Sequence, residues 1–125
     1  MSEDAQIVRS FYDDISNFID ALDADIEWHE MEGIAYGGVY TSAAAVMENI
    51  FKHVAEDWED FGATPDTILA ANDDWVAAMG RYHGRYKPTG KTLDCGFAHF
   101  FQLRNRKVIR FHQYTDSAFW NEVMS

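Results

Sequence analysis

The chain has 125 residues, 47% of them hydrophobic and 15% aromatic. That is enough for one compact domain, spanning 1–125, with a filled core, and too much for a disordered chain. A formal net charge of −11 argues against nucleic acid or an anionic membrane as partner, because phosphate-rich surfaces need a basic counterpart. No apolar run approaches the ~20 residues of a membrane helix. No basic, apolar leader precedes the first helical segment, so a cytoplasmic protein is expected. The single Cys95 rules out an internal disulfide or a Cys-based zinc cluster and reads as a small buried strand residue.

Charge is unevenly placed. Residues 1–74 hold 18 of the 21 acids with only Arg9 and Lys52 as bases, while 75–125 hold eight bases. The two halves are expected to lie against each other in the fold or across a dimer, or else to form two solvated surfaces of opposite sign.

Ser2-Glu3-Asp4 is a helix start: a capping hydroxyl, then acids where the dipole favours them. Ile7, Val8, Phe11, Tyr12, Ile15, Phe18, Ile19 and Leu22 recur at helical spacing, with a break near Ser16-Asn17. Tyr12 is core by default, yet its hydroxyl needs a partner and can reach a pocket. Residues 25–31 (DIEWHEM) alternate as a short strand. After a Gly37-Gly38 loop, Ser42 caps a second helix that buries Val46, Met47, Ile50, Phe51, Val54 and Trp58.

Residues 64–71 and 75–87 are strands, with Gly80 and Gly84 marking bulges or curvature in the second. A turn at Pro88-Thr89-Gly90 pairing Lys87 with Lys91 would set Arg81 opposite Phe97 and His83 opposite Cys95. Residues 91–116 form two long strands joined at Asn105-Arg106. An uninterrupted register then pairs Phe101 with Arg110, His99 with His112 and Phe97 with Tyr114 on one face, followed by Asp116. The other face carries Phe100, Ile109 and Phe111. That apolar face predicts a homodimer through the outer side of the sheet. A short terminal helix starts at Asp116 or Ser117. The expected fold is α+β: helices on one face of a curved antiparallel sheet that closes into a cone, with a ligand in its mouth.

The phrases DIEWHEM, YTSAAAVMENIF, GRYHGRYKPTGKTL and FAHFFQLRNRKVIRFHQYTD resemble the SnoaL-like group of the ketosteroid-isomerase-like, or nuclear-transport-factor-two-like, superfamily. The resemblance implies a cystatin-like cone with its pocket wrapped on N-terminal helices. It leaves function wide, since the superfamily hosts isomerases, cyclases, epoxide hydrolases, dehydratases and non-catalytic binders. In polyketide cyclases and limonene epoxide hydrolase the last strand ends in an acid–base Asp, which is similar in position to Asp116. The hydrolase has an Arg and an Asp two apart on an earlier strand; Arg81 fits the first, but His83 replaces the second. Its Tyr and Asn on the first strand are Trp28 and Glu30 here. The isomerase base falls near Glu30, or His29 if the strand slips by one. The isomerase's neutral carboxyl donor falls near His99, and its late glycine becomes Asp116.

A buried carboxyl has its pKa raised towards a useful value, so Asp116 is the leading proton carrier and Glu30 or His29 a secondary one. Asp116 also reads as the N-cap of the last helix. His99 and His112, if opposed, cannot both be charged, and would polarise a carbonyl or orient Asp116. Otherwise they are half-buried residues bonded to backbone or water. Arg81 and His83 would support them, or Arg81 is simply a solvated base. Three His and an Asp invite a metal reading, but nothing in their spacing implies convergence, and neither metal nor cofactor is expected. Trp28, Tyr36, Phe51, Trp58, Phe97, Phe101 and Tyr114 are core or cavity lining. Two functions fit: a cofactor-free isomerase, cyclase or hydratase acting on a small hydrophobic carbonyl compound, and a non-catalytic binding or dimerisation domain.

Overall fold

A computed structural model describes residues 2–125. Ser2 caps α1 (Glu3–Asp13), its hydroxyl accepting from the Ala5 amide at 3.1 Å. The helix breaks at Asp14, earlier than the sequence pattern suggests. Asp14 is extended (φ −152°) and caps α2 (Ile15–Asp20) by accepting from the Ser16 amide. One residue thus ends one helix and starts the next, and the turn brings Phe18 into a stack on Phe11 at 4.8 Å.

The strands are β1 (Leu22–Glu30), β2 (Gly38–Tyr40), β3 (Trp58–Ala70), β4 (Trp75–Tyr86), β5 (Lys91–Arg104) and β6 (Lys107–Thr115). They form one sheet in the order β2-β1-β6-β5-β4-β3. All neighbours are antiparallel except β1 and β6, which run parallel. The second helical segment is α3 (Ala43–Val46), a π-helical turn (Met47–Phe51) and α4 (Lys52–Asp57). α5 (Ser117–Val123) closes the chain. Trp58, expected on the buried face of the second helix, instead opens β3, where it is buried.

Curvature comes where the sequence places glycine. Gly80 pairs with Pro65 beside a bulge at Asp66, and Gly84 lies across from a bulge at Asp60 and Phe61. A Cβ on Gly80 would sit 2.1 Å from the Thr64 carbonyl oxygen, so no other residue fits there without moving β3.

Two registers differ from the sequence reading by one residue, and each slip reverses a face. The β4–β5 loop is longer than expected and pairs Tyr86 with Lys91, so Arg81 faces Gly96 and His83 faces Asp94. Tyr82, not its neighbours, points inward with Cys95. The Asn105-Arg106 turn is as expected, with both residues at positive φ (51° and 66°) and Arg104 paired with Lys107. Beyond Leu103–Val108, however, a bulge leaves Ile109 unpaired. Phe101 therefore faces Phe111 and His99 faces Gln113. The bulge lets Val108 (0% exposed) and Phe111 (2%), three residues apart, both reach the core. His112 and Tyr114 are moved to the outer face.

The acidic and basic halves do touch: Arg106 pairs with Glu3 and Arg85 with Glu59, both on the surface, where such pairs contribute little. No helix of the described residues is long and apolar enough to cross a membrane.

Candidate functional site

The concave face of the sheet and the helices enclose a cavity of about 660 Å³. Phe11, Tyr12 and Phe18 form one wall, the π-helical turn contributes Met47, Ile50 and Phe51, and Trp28, Phe111 and Trp120 form the floor and far side. Met47, Ile50, Phe51, Val54 and Ala55 recur at three- and four-residue spacing, so one face of this helical segment meets the cavity. Few polar groups break this apolar lining.

Glu30 is one of them. It ends β1, two residues after Trp28, so both side chains point inward. Glu30 is 7% exposed, and one of its oxygens accepts from Trp28 Nε1 at 2.9 Å. Burial pushes its carboxyl up to about 7, against the pull of the Trp28 bond. The carboxyl thus sits near half-protonation at neutral pH, where a group can both take and give a proton.

The second polar feature is a chain of hydrogen bonds. Tyr12 Oη and His99 Nδ1 are joined at 2.7 Å, and His99 Nε2 and Tyr82 Oη at 2.6 Å. Gln113 Nε2 donates to Tyr82 Oη at 3.0 Å, and Gln113 Oε1 accepts from the Met31 amide at 3.0 Å. Desolvation pushes His99 down to about 3, so it is neutral at physiological pH, and raises both tyrosine hydroxyls. Tyr12 and His99 stack parallel, and Phe97 stacks on His99 at 4.0 Å, fixing the imidazole plane.

Of the residues singled out in the sequence, Glu30, His99, Tyr12, Trp28, Tyr36 and Phe51 line the cavity. The β1 register places Glu30 inside and His29 outside. Asp116 is not in the cavity. It is exposed and accepts from the Phe119 amide at 3.0 Å as the cap of α5. Arg81 lies on the outer face, bonded to Asp94 at 2.8 Å. His83 reaches only the cavity rim, with Nδ1 against the Asp60 carbonyl. His112 is outside too, stacked on His29 at 4.1 Å, and its pKa is lowered by partial burial and by that neighbour. Tyr114 is 51% exposed on the same face. Phe97 and Phe101 are core residues behind His99 and Tyr12, and Trp58 is buried with Nε1 donating to Tyr36 Oη. Among the described residues no cluster of three or more His, Cys, Asp or Glu could hold a metal.

Tyr82, Gln113, Phe61 and Trp120 also line the cavity, and the sequence pattern does not single them out. The signal for the first was its place between Arg81 and His83; for the second, its place two after Phe111. Each was hidden by the one-residue slip on its strand.

A curved sheet over helices, enclosing an apolar pocket with a buried carboxyl, defines a nuclear-transport-factor-two-like protein of cystatin-like fold. The SnoaL-like domain family matches residues 8–111, and the chain belongs to that family. An NTF2-like protein from Burkholderia thailandensis is 31% identical, with 100% of this chain and 99% of that one covered and a TM-score of 0.89. A putative polyketide cyclase from Silicibacter is similar in fold at 19% identity, 98% and 95% coverage and TM-score 0.81. So is a protein of ketosteroid isomerase-like fold from Catenulispora acidiphila, in complex with trimethylamine, at 17% identity, 87% and 84% coverage and TM-score 0.73. Among proteins of curated function none matches this chain.

Proposed function

We propose that this protein is a cofactor-free acid–base catalyst, of isomerase, cyclase or hydratase type, for a small hydrophobic carbonyl compound. Glu30, not Asp116, is the proton carrier. The observation that carries this is a carboxyl at 7% exposure on the wall of an apolar cavity, held near neutral pKa by burial. Its bond to Trp28 occupies one oxygen and orients the other. A ligand oxygen would be met by the Tyr12 hydroxyl, which His99 holds in place. The remaining surface, aromatic and aliphatic, suits a flat apolar body of modest size. The test is proton exchange: small aryl and alicyclic ketones incubated in deuterated buffer, followed by loss of the α-proton signal. Enzyme-dependent exchange that disappears in Glu30→Gln is expected. Exchange unaffected by that substitution would refute the role of Glu30.

A second reading has its own support on the other face of the sheet. Met79, Phe100 and Tyr114 are 48%, 38% and 51% exposed there, a patch suited to a homodimer interface. Phe111 turns inward and does not take part, and Ile109 is half-buried. A ligand-binding or dimerisation domain without turnover would show saturable binding, no proton exchange, and a sedimenting species of twice the 14.3 kDa chain mass.

A further inference from the structure

The hydrogen-bond chain has a direction, and a backbone amide sets it. The Met31 N–H can only donate, so the Gln113 atom 3.0 Å away is its carbonyl oxygen. The amide nitrogen of Gln113 therefore faces Tyr82 Oη and donates to it. Tyr82 is buried, and its hydroxyl proton needs an acceptor. Gln113 Nε2 cannot accept. His99 Nε2, at 2.6 Å, can. His99 must then carry its single proton on Nδ1, and that proton is donated to Tyr12 Oη at 2.7 Å. An imidazolium would leave the Tyr82 proton without an acceptor, so the geometry alone requires neutral His99. Burial works in the same direction. Tyr12 is left with its own hydroxyl proton uncommitted, on a side chain that lines the cavity.

We infer that Gln113, locked by the Met31 amide, is a positioning residue that fixes the His99 tautomer through Tyr82 and so makes Tyr12 a donor towards the cavity. The site is selective for neutral ligands presenting an acceptor oxygen, such as a ketone, over ligands of the same shape without one. This deepens the reading above, because it specifies what the polar end of that cavity recognises. It does not depend on turnover.

The direct test is the tautomer. In ¹⁵N-labelled protein, with the His99 ring assigned by its absence in His99→Gln, Nδ1 should carry the proton and Nε2 should not. The ring should not titrate between pH 5 and 8. A protonated Nε2, as either the other neutral tautomer or the imidazolium, overturns the inference. A matched ligand pair then tests the consequence: 2-acetylnaphthalene and 2-isopropenylnaphthalene differ in an oxygen for a methylene. The ketone should bind wild type about fivefold more tightly, the effect of one net hydrogen bond. Tyr12→Phe should abolish the preference. Gln113→Glu tests the relay itself, since an ionised carboxylate would accept from Tyr82. Tyr82 would then accept from His99 Nε2, and Tyr12 would give its proton to Nδ1. The tautomer should flip and the ketone preference should vanish. A flip without loss of preference, or equal binding of both ligands to wild type, would count against it. If Gln113→Glu does not fold, the wild-type tautomer decides. Correct tautomer and ketone preference without α-proton exchange would refute catalysis and leave the relay standing.

Discussion

Glu30→Gln isolates the energetic consequence of burying an acid. The Glu30 carboxyl rises from an ordinary 4.5 to about 7 in the folded state. Because the folded state binds the proton more tightly, the stabilising linkage is complete below the unfolded value and is lost as pH rises through about 7. A shift of 7 minus 4.5, or 2.5, corresponds to about 3.4 kcal/mol, of which about 2.5 kcal/mol is lost between pH 5 and pH 8. At 7% exposure solvent screening removes little of this. Gln is nearly isosteric, keeps an oxygen for the Trp28 indole and does not titrate. Its stability relative to wild type should therefore improve by about 2.5 kcal/mol between pH 5 and pH 8. In urea titrations this is roughly a 1 M relative shift of midpoint at unchanged slope. Parallel behaviour of the two proteins at both pH values would mean that Glu30 is not a buried ionisable group. The proposed function would go with it.

Trp28→Phe removes the donor that partly offsets burial, so the Glu30 carboxyl should titrate still higher, as read by carboxyl ¹³C shifts; an unchanged titration refutes the bond. Tyr82→Phe strands the Gln113 amide and should cost about 1–3 kcal/mol in chemical denaturation. Asp116→Ala should cost about 1 kcal/mol as a lost cap, Asp116→Asn close to none, and neither should alter proton exchange. Phe111→Ala should cost about 3–5 kcal/mol, while Arg110→Ala stays within about 0.5 kcal/mol. An uninterrupted β5–β6 register predicts the reverse order.

Much of the architecture could be read from residue patterns because it rests on local rules. Ser2, Ser42 and Asp116 each cap a helix where a hydroxyl or carboxylate precedes an apolar periodicity. Asn105-Arg106 closes its hairpin in the expected place. Gly80 and Gly84 mark the curvature of β4. What escaped was strand parity. A period of two carries no memory of an inserted residue, so the Ile109 bulge and the longer β4–β5 loop each exchanged inside for outside without changing any strand's composition. For this one reason an uninterrupted alternation puts His112 and Tyr114 on the inner face, whereas the structure has Tyr82 and Gln113 there. The bulge had a visible trace: Val108 and Phe111 are both large and apolar at odd separation, with a polar Arg110 between them. Asp116 failed differently. Its position matched a family pattern and its local context matched a cap, and the local context prevailed because the α5 amides lie within reach of its carboxylate.

The two groups that remain in the cavity have their pKa values moved in opposite directions by one cause. Desolvation raises the Glu30 carboxyl to about 7 and lowers the His99 imidazole to about 3. An acid and a base buried in direct contact would instead have exchanged a proton and become an ion pair. Here the imidazole is engaged on both sides by tyrosine hydroxyls, whose own ionisation burial suppresses. The carboxyl meets an indole N–H rather than a cation. Below pH 7 these two groups therefore carry little charge, despite a chain charge of −11. Such a cavity favours a neutral ligand at the outset. The ionised form of Glu30, populated as pH rises through about 7, would take the proton, and its negative charge would pass to a ligand oxygen met by Tyr12. In the proposed reaction the carboxyl on β1 and the hydroxyl on α1 would stand at the two ends of one proton transfer.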